Sequence, residues 1–302
     1  MSVAVEPSPL PEAPRLLPDT NVYLDLADGK LSAREEQLLR LAAHQDPPLF
    51  WACEITFDEL VGNIHSRKSA RFETYRRALH WMERLCGGRG IAEDKSWALR
   101  RGVYTDAVPC DPARGLELVR VRRGIIQAKT FDRLPAGFLA KVEQLRARYR
   151  ERIDDWVAGR TTIGHAARVE PQPGEAVVEG SEVAADVVLD VSRRHTRTDD
   201  AGWGAVRSDD DQKRAQRELI ALEVSWLQRA RNPQPYSHEA HRSDYNDYWL
   251  CAYLAAGYTL VTTDDRLRKA IREGGCADPR LVTLDEGLAI AEAWSARSSS
   301  AA

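Results

Sequence analysis

The sequence predicts an α/β fold: a parallel sheet flanked by helices and interrupted by a largely α-helical insertion. Three observations carry this expectation. At both ends of the chain, short apolar runs alternate with helical segments, as in "RLLPDTN" before "VYLDLADGK" and "YTLVTT" before "DDRLRKAIREGG". Between them, from about His65 to Arg231, the chain is rich in Arg and Glu and carries long helical stretches with few strand signals. No fixed-period repeat is present, which sets aside a solenoid.

Residues 1–14 contain four prolines and few apolar anchors, so a flexible leader is expected there. "RLLPDTN" reads as the first strand, although Pro18 is unusual for an internal strand position. "VYLDLADGK" turns helical until Gly29. "LSAREEQLLRLAAH" spaces its leucines on a helical period, with Ser32 able to cap it and Pro47 and Pro48 closing it. "LFWACEI" is a near-continuous apolar run and is expected to be a buried strand.

In the interval, "RFETYRRALHWMERL", "AGFLAKVEQLRARYRERIDDWV" and "DQKRAQRELIALEVSWLQRA" read as helices. "LELVRV" and "EAVVEG" are weak strand candidates, and "ARVEPQPGEA" and "RHTRTDDAGWGAVRSDDD" read as loops. Near the C-terminus "SDYNDYWLCAYLAAG" places Tyr248, Cys251, Ala252 and Ala255 on one helical face and offers Gly257 as a C-terminal cap. "YTLVTT" and "RLVTL" are strands, each followed by a helix, and residues 293–302 are expected to form a flexible tail. The division is therefore a sheet domain from residues 15–64 and 240–292, with further helices of that domain plus the helical insertion at 65–239.

With 302 residues the chain can bury a core without covalent staples. Its five cysteines are dispersed and hold no C-x-x-C pair, which argues for a reducing compartment and against a structural zinc site. No run approaches the ~20 apolar residues needed to span a bilayer, and no secretory signal is evident, so a soluble cytoplasmic protein without membrane contact is expected. A net charge of −3 supplies no global attraction to nucleic acid, but a local basic face can coexist with an acidic site.

Four acids fall at strand ends or in the helices that follow: Asp19 after the first strand, Glu59 after "LFWACEI", Asp247 near the start of "NDYWLCAYLAAG", and Asp264 after "YTLVTT". In an open parallel sheet such positions converge on the crevice at the carboxyl ends of the strands. Carboxylates gathered there repel one another, and a divalent cation removes that cost. Oxygen ligands without a His or Cys cluster favour Mg²⁺ or Mn²⁺ over Zn²⁺. Each acid also has a plainer role. "TFDE" is a capping-box pattern for Glu59, Asp247 suits a helix N-terminus, Asp264 suits a turn, and Asn21, Thr20 and Thr262 suit local caps and satisfied hydroxyls. Asp265 suits the cap of the next helix better than Asp264 does, and Asp25, Asp58 and Asp244 are read as solvated.

The set "PDTN", "ITFDEL", "NDYWLCAYLAAG" and "LVTTDD" resembles a PIN domain, the fold of many metal-dependent ribonucleases including VapC-type toxins. The resemblance covers roughly residues 15–64 and 240–292; the long helical interval departs from the compact members of the family. It implies a PIN-like sheet in which Asp19, Glu59, Asp247 and Asp264 bind Mg²⁺ or Mn²⁺ and act in catalysis, with Thr20, Asn21 and Thr262 supporting them. It further implies hydrolysis of phosphodiesters to 5′-phosphate and 3′-hydroxyl ends, most simply by an endoribonuclease toxin or defence effector restrained by an inhibitory protein partner. Single-stranded DNA as substrate, a structure-specific DNA nuclease, a catalytically inactive RNA-binding or interaction module, and a homo-oligomer stay open.

Substrate binding calls for cations. Arg67, Lys68, Arg71, Arg76 and Arg77, interleaved with Phe72 and Tyr75, follow Glu59 closely, and Arg120, Arg122 and Arg123 add a second group. Solvated Arg faces partnered by Glu are the plainer alternative. His238 and His241 have a helical ligand spacing and His195 lies upstream, but with no matched Cys they make a weak zinc motif.

Overall fold

Leu16–Pro18 forms a first strand, β1, buried on both sides. The computed structural model describes residues 13–43, 47–64, 69–87, 90–92, 94–105, 112–166, 176–196, 204–230, 241–277 and 279–301. The expected leader therefore lies, up to residue 12, outside the described residues. Asp19 caps helix α1 (Thr20–Ala27), and a 3-10 turn at Ser32–Arg34 leads into α2 (Glu35–Ala43). Ser32 opens that turn and makes no capping bond; Leu31 stands at the cap position.

The expected strand "LFWACEI" is corrected: it contributes only single parallel bridges, Leu16 with Phe50 and Ala52 with Ile91, before α3 (Glu54–Gly62) begins. Pro18 explains the short pairing. Leu16 N–H donates to Leu49 O and Trp51 N–H to Leu16 O, so the next bond of this parallel ladder would come from the N–H that Pro18 lacks. Its other edge is intact, because Asp19 N–H donates to Val261 O.

Helices fill the interval: α4 (Ser69–Cys86), α5 (Lys95–Val103), α6 (Pro112–Gln127), α7 (Ala136–Ala166), α8 (Ala176–Thr196), α9 (Asp209–Ala215) and α10 (Arg217–Ala230). The weak strand candidate "LELVRV" falls in α6, and "EAVVEG", described from Ala176 on, falls in α8. Tertiary packing overrides β propensity in such short segments. The loop "ARVEPQPGEA" lies almost wholly outside the described residues; part of the second loop is described and forms an antiparallel bridge between Tyr104 and Val206.

The chain ends with α11 (Asp244–Ala255), β2 (Thr259–Thr262), α12 (Asp265–Glu273), β3 (Leu281–Thr283) and α13 (Leu284–Ala301). The expected flexible tail is thus helical to Ala301, with Trp294 packed against the core. The molecule is mostly helical around a small parallel sheet ordered β1-β2-β3, compatible with the expected α/β class. Register pairs Leu17 with Leu260 and Val261 with Val282.

The sheet separates two apolar clusters, as the period-two alternation of a strand requires. Leu16 and Val261 face one cluster with α1, α4 and α13; Leu17 and Leu260 face the other with α5, α10 and α11. Helix α11 is buried on nearly every side, from Tyr245 through Leu254, with Asp247 half-buried among them. The single apolar face expected for it is therefore too narrow a reading: the interval helices α5, α7 and α10 cover the faces that the sheet leaves open. After it the chain turns at Gly257, whose φ of 86° is the left-handed conformation that glycine adopts most readily.

Candidate functional site

Asp19 and Asp264 follow adjacent parallel strands, β1 and β2, so their backbones leave the sheet at its carboxyl edge. The hydroxyl of Thr262 links them: it donates to Asp19 Oδ2 and accepts from the Asp264 N–H at 2.8 Å. Asp19 Oδ1 accepts the Val22 N–H at 3.0 Å as the N-cap of α1. Asp19 is thus both cap and site candidate. Burial pushes its carboxyl up to about 6 despite these hydrogen bonds, and the Asp264 charge adds to the rise.

Glu59 reaches the same place from α3. It does not close a capping box, because the helix begins at Glu54, five residues earlier. Instead Thr20, one residue beyond Asp19, donates its hydroxyl to Glu59 Oε2 at 2.5 Å. Asn246 gives Glu59 a second hydrogen bond, and Asn246 Nδ2 also donates to the Tyr149 hydroxyl at 2.8 Å. Burial and the Asp19 charge outweigh these bonds and push Glu59 up to about 7.

Asp247, in the first turns of α11, completes the group. Burial holds its carboxyl well above the usual carboxylate range, and Asp244, Glu59, Asp264 and Asp19 all push it further in the same direction. No hydrogen bond reaches its side chain among the described residues. Four carboxylates predicted from distant segments therefore share one electrostatic neighbourhood, with one of them unsupported.

Three readings are corrected here. Asp264, not Asp265, caps α12; Arg266 donates to it from its backbone N–H at 2.8 Å and grips it with its guanidinium at 2.7 Å, which holds the Asp264 carboxyl below its usual range. Asp265 is exposed. The Asn21 side chain is exposed, and it is the Asn21 backbone N–H that bonds Asp19. Of the acids read as solvated, Asp58 and Asp244 are buried, Asp58 pairing with Arg152 at 2.8 Å, while Asp25 is partly covered and takes hydrogen bonds from Lys30 and Thr263.

The predicted cations divide. Arg67 and Lys68 lie outside the described residues. Arg71 is exposed and, with Glu59, acts on Tyr75, which places Arg71 and Tyr75 on the site's side of α4. Arg76 is committed to Glu73 through a two-pronged contact at 2.8 and 2.7 Å and to the Ile126 carbonyl; Arg77 shares Glu73 at 3.9 Å. Phe72 is buried edge-on against Phe131 and offers no stacking face to a ligand. Arg122 is buried, bonded to Gly87 O and paired with Glu83. His238 lies outside the described residues, and His241 is exposed.

Three residues at the site escaped the sequence reading. Asn246 had a signal, since it directly precedes Asp247 in the first turn of the same helix. Arg266, two residues after Asp264, had a similar one. Tyr149 had none: it sits in an Arg-rich helical stretch, and only the packing of α7 along α3 and α11 brings it to Asn246.

Among the described residues, no three His, Cys, Asp or Glu side chains stand together as a metal-ligand group. The threonines and Arg266 hold the carboxylates in their present positions. The donor chemistry nevertheless fits a hard cation: all four groups are carboxylates, their charges oppose one another, and Asp247 is unsupported. Among the described residues no helix is long and apolar enough to cross a membrane. Comparison with protein-family models, with curated proteins and with solved structures gives no match to this chain.

Proposed function

We propose that the protein is a Mg²⁺- or Mn²⁺-dependent nuclease of the PIN type, an endoribonuclease acting as a toxin or defence effector. What supports this reading most is that Asp247 is opposed electrostatically by Asp19, Glu59 and Asp264, two of which follow adjacent parallel strands. Like-charged, partly buried carboxylates are unfavourable for stability alone, so their joint presence points to a cationic occupant.

Asp19, Glu59, Asp247 and Asp264 would hold the ion. When bound, a divalent ion supplies charge to polarise a phosphate and lower the pKa of water beside it. The chain's own part is positional. Thr262 orients Asp19, Thr20 and Asn246 orient Glu59, and Arg266 holds Asp264. No protein nucleophile is needed for water to attack the phosphorus. Tyr75 feels both Glu59 and Arg71, and in this reading Tyr75 would stack on a base while Arg71 meets a phosphate.

Incubation of the purified protein with single-stranded RNA and Mg²⁺ or Mn²⁺ tests this. Cleavage is expected, lost with chelator and abolished in Asp19→Asn with an unchanged circular dichroism spectrum. Undiminished activity in that variant overturns the assignment. Parallel arms with single-stranded and branched DNA distinguish a DNA nuclease, and RNA binding without any cleavage identifies an inactive binding module.

A further inference from the structure

We infer that a cleft between α6 and the start of α7 anchors single-stranded nucleic acid away from the acidic site; this rests on the nuclease reading above. The cleft has a volume of about 450 Å³ and is lined by Arg120, Arg123, Gly124, Gln127, Arg133 and Phe138 among others, with no carboxylate in its wall among the described residues. Arg120, Arg123, Gly124 and Gln127 follow the i, i+3, i+4, i+7 spacing, so they form one face of α6. Arg123 shares Glu83 at 3.1 Å. Arg120 and Arg133 are exposed and enter no ion pair among the described residues.

The aromatic member is placed by a glycine. A Cβ at Gly124 would stand 2.2 Å from the Phe138 ring, so only the absence of a side chain lets the ring lie against α6. Phe138 is partly exposed in that position. An open ring flanked by uncommitted guanidiniums is the pairing that single strands require: phosphates meet the cations and a base stacks on the ring. A duplex hides its base faces and cannot use Phe138.

The cleft and the acids share an element. Phe138 and Tyr149 are 11 residues apart on α7 (149 − 138), three turns, so they lie on the same stripe about 16 Å apart. Tyr149 bonds Asn246, and Asn246 bonds Glu59. On α4, Tyr75 is near Glu59 while its neighbour Arg76 bonds the carbonyl of Ile126, one residue before Gln127 of the cleft. A strand running from the cleft along α7 toward Glu59 would engage both ends.

The test is fluorescence anisotropy with a labelled oligouridylate of about twenty nucleotides, using the full chain in chelator so that cleavage cannot intervene. The double variant Arg120→Ala, Arg133→Ala is expected to bind about tenfold or more weakly. The slope of log affinity against log salt should fall by about 1.4, at ~0.7 per phosphate contact on a single strand. Phe138→Ala should weaken binding of the single strand while leaving its salt slope unchanged. Arg150→Ala, an exposed cation outside the cleft, should bind as the unaltered protein does. Unchanged affinity in the double variant, no measurable binding by the unaltered protein, or equal affinity for a duplex of the same length overturns the proposal. Addition of Mg²⁺ or Mn²⁺ separates the two ideas. Cleft-dependent binding without cleavage refutes the nuclease and keeps the anchor, whereas cleavage and binding that are indifferent to the double variant refute the anchor and keep the nuclease.

Discussion

Asp19 does two jobs that pull in opposite directions. As the N-cap of α1 it accepts the Val22 N–H, and as a member of the acidic group it is buried beside other carboxylates. Its carboxyl rises from 3.8 to about 6, and that of Glu59 from 4.5 to about 7. The folded state therefore holds these protons more tightly than the unfolded chain. The stability this contributes is fully present below the unfolded values and is lost as pH climbs through about 6 and about 7. In metal-free protein the stability difference between Asp19→Asn and the unaltered chain should grow in favour of the variant across this window. The Asp19 share reaches about 3 kcal/mol at ~1.4 kcal/mol per pKa unit. Denaturant titrations at acid and neutral pH read this directly; a difference that does not change with pH would contradict the burial argument. Mg²⁺ or Mn²⁺ at neutral pH should raise the midpoint of the unaltered protein and leave that of Asp19→Asn nearly unmoved.

Among the elements, α7 matters most to the site. It packs along α3, and its Tyr149 ring lies where a Cβ on Gly62 would stand 2.3 Å from it. The Tyr149 hydroxyl then meets Asn246, which steadies Glu59. Tyr149→Phe keeps the ring and removes only the hydroxyl. It should cost about 1 kcal/mol of stability, the usual net worth of one hydrogen bond, and should also shift the pH dependence of cleavage because Asn246, the second support of Glu59, loses the hydroxyl that holds it. A variant that is less stable but keeps the parent pH profile would confine Tyr149 to packing. Gly62→Ala, by contrast, should destabilise by about 1–3 kcal/mol through overpacking, with the folded fraction reading the loss.

Across the whole molecule, the interval helices are part of the core that positions the acids. Trp97 and Leu99 of α5 and Trp226 of α10 share a cluster with Tyr248 and Leu250 of α11 and with Leu17 and Leu260 of the sheet. An ionic contact closes the same junction. Glu218 at the start of α10 is buried, and Arg280, just before β3, grips it at 2.9 and 2.8 Å. Arg280→Met would leave that carboxylate buried without its main partner, so about 3–5 kcal/mol of stability should be lost. Thermal unfolding measures it, and a loss below about 1 kcal/mol would show that solvent reaches Glu218.

The sequence by itself determined the alternation of short strands and helices at the two ends, the helical character of the interval, and the identity of the four acids. These depend on local pattern: apolar period, strand-end position, and glycine or proline at the boundaries. It misplaced the cap between Asp264 and Asp265, read "LFWACEI" as a full strand, and left Pro18 unexplained, because a hydrogen-bond ladder belongs to two segments and neither one displays it alone. Only the tertiary structure decided that Arg76 also reaches the Ile126 carbonyl and Arg122 is consumed by Glu83, that Tyr149 reaches Asn246 across a sequence separation of 97, and that Phe138 lies open beside Arg120 and Arg133. The reason is physical. A charge or a ring declares its type in the sequence, but whether it is spent or available depends on which helix packs against it.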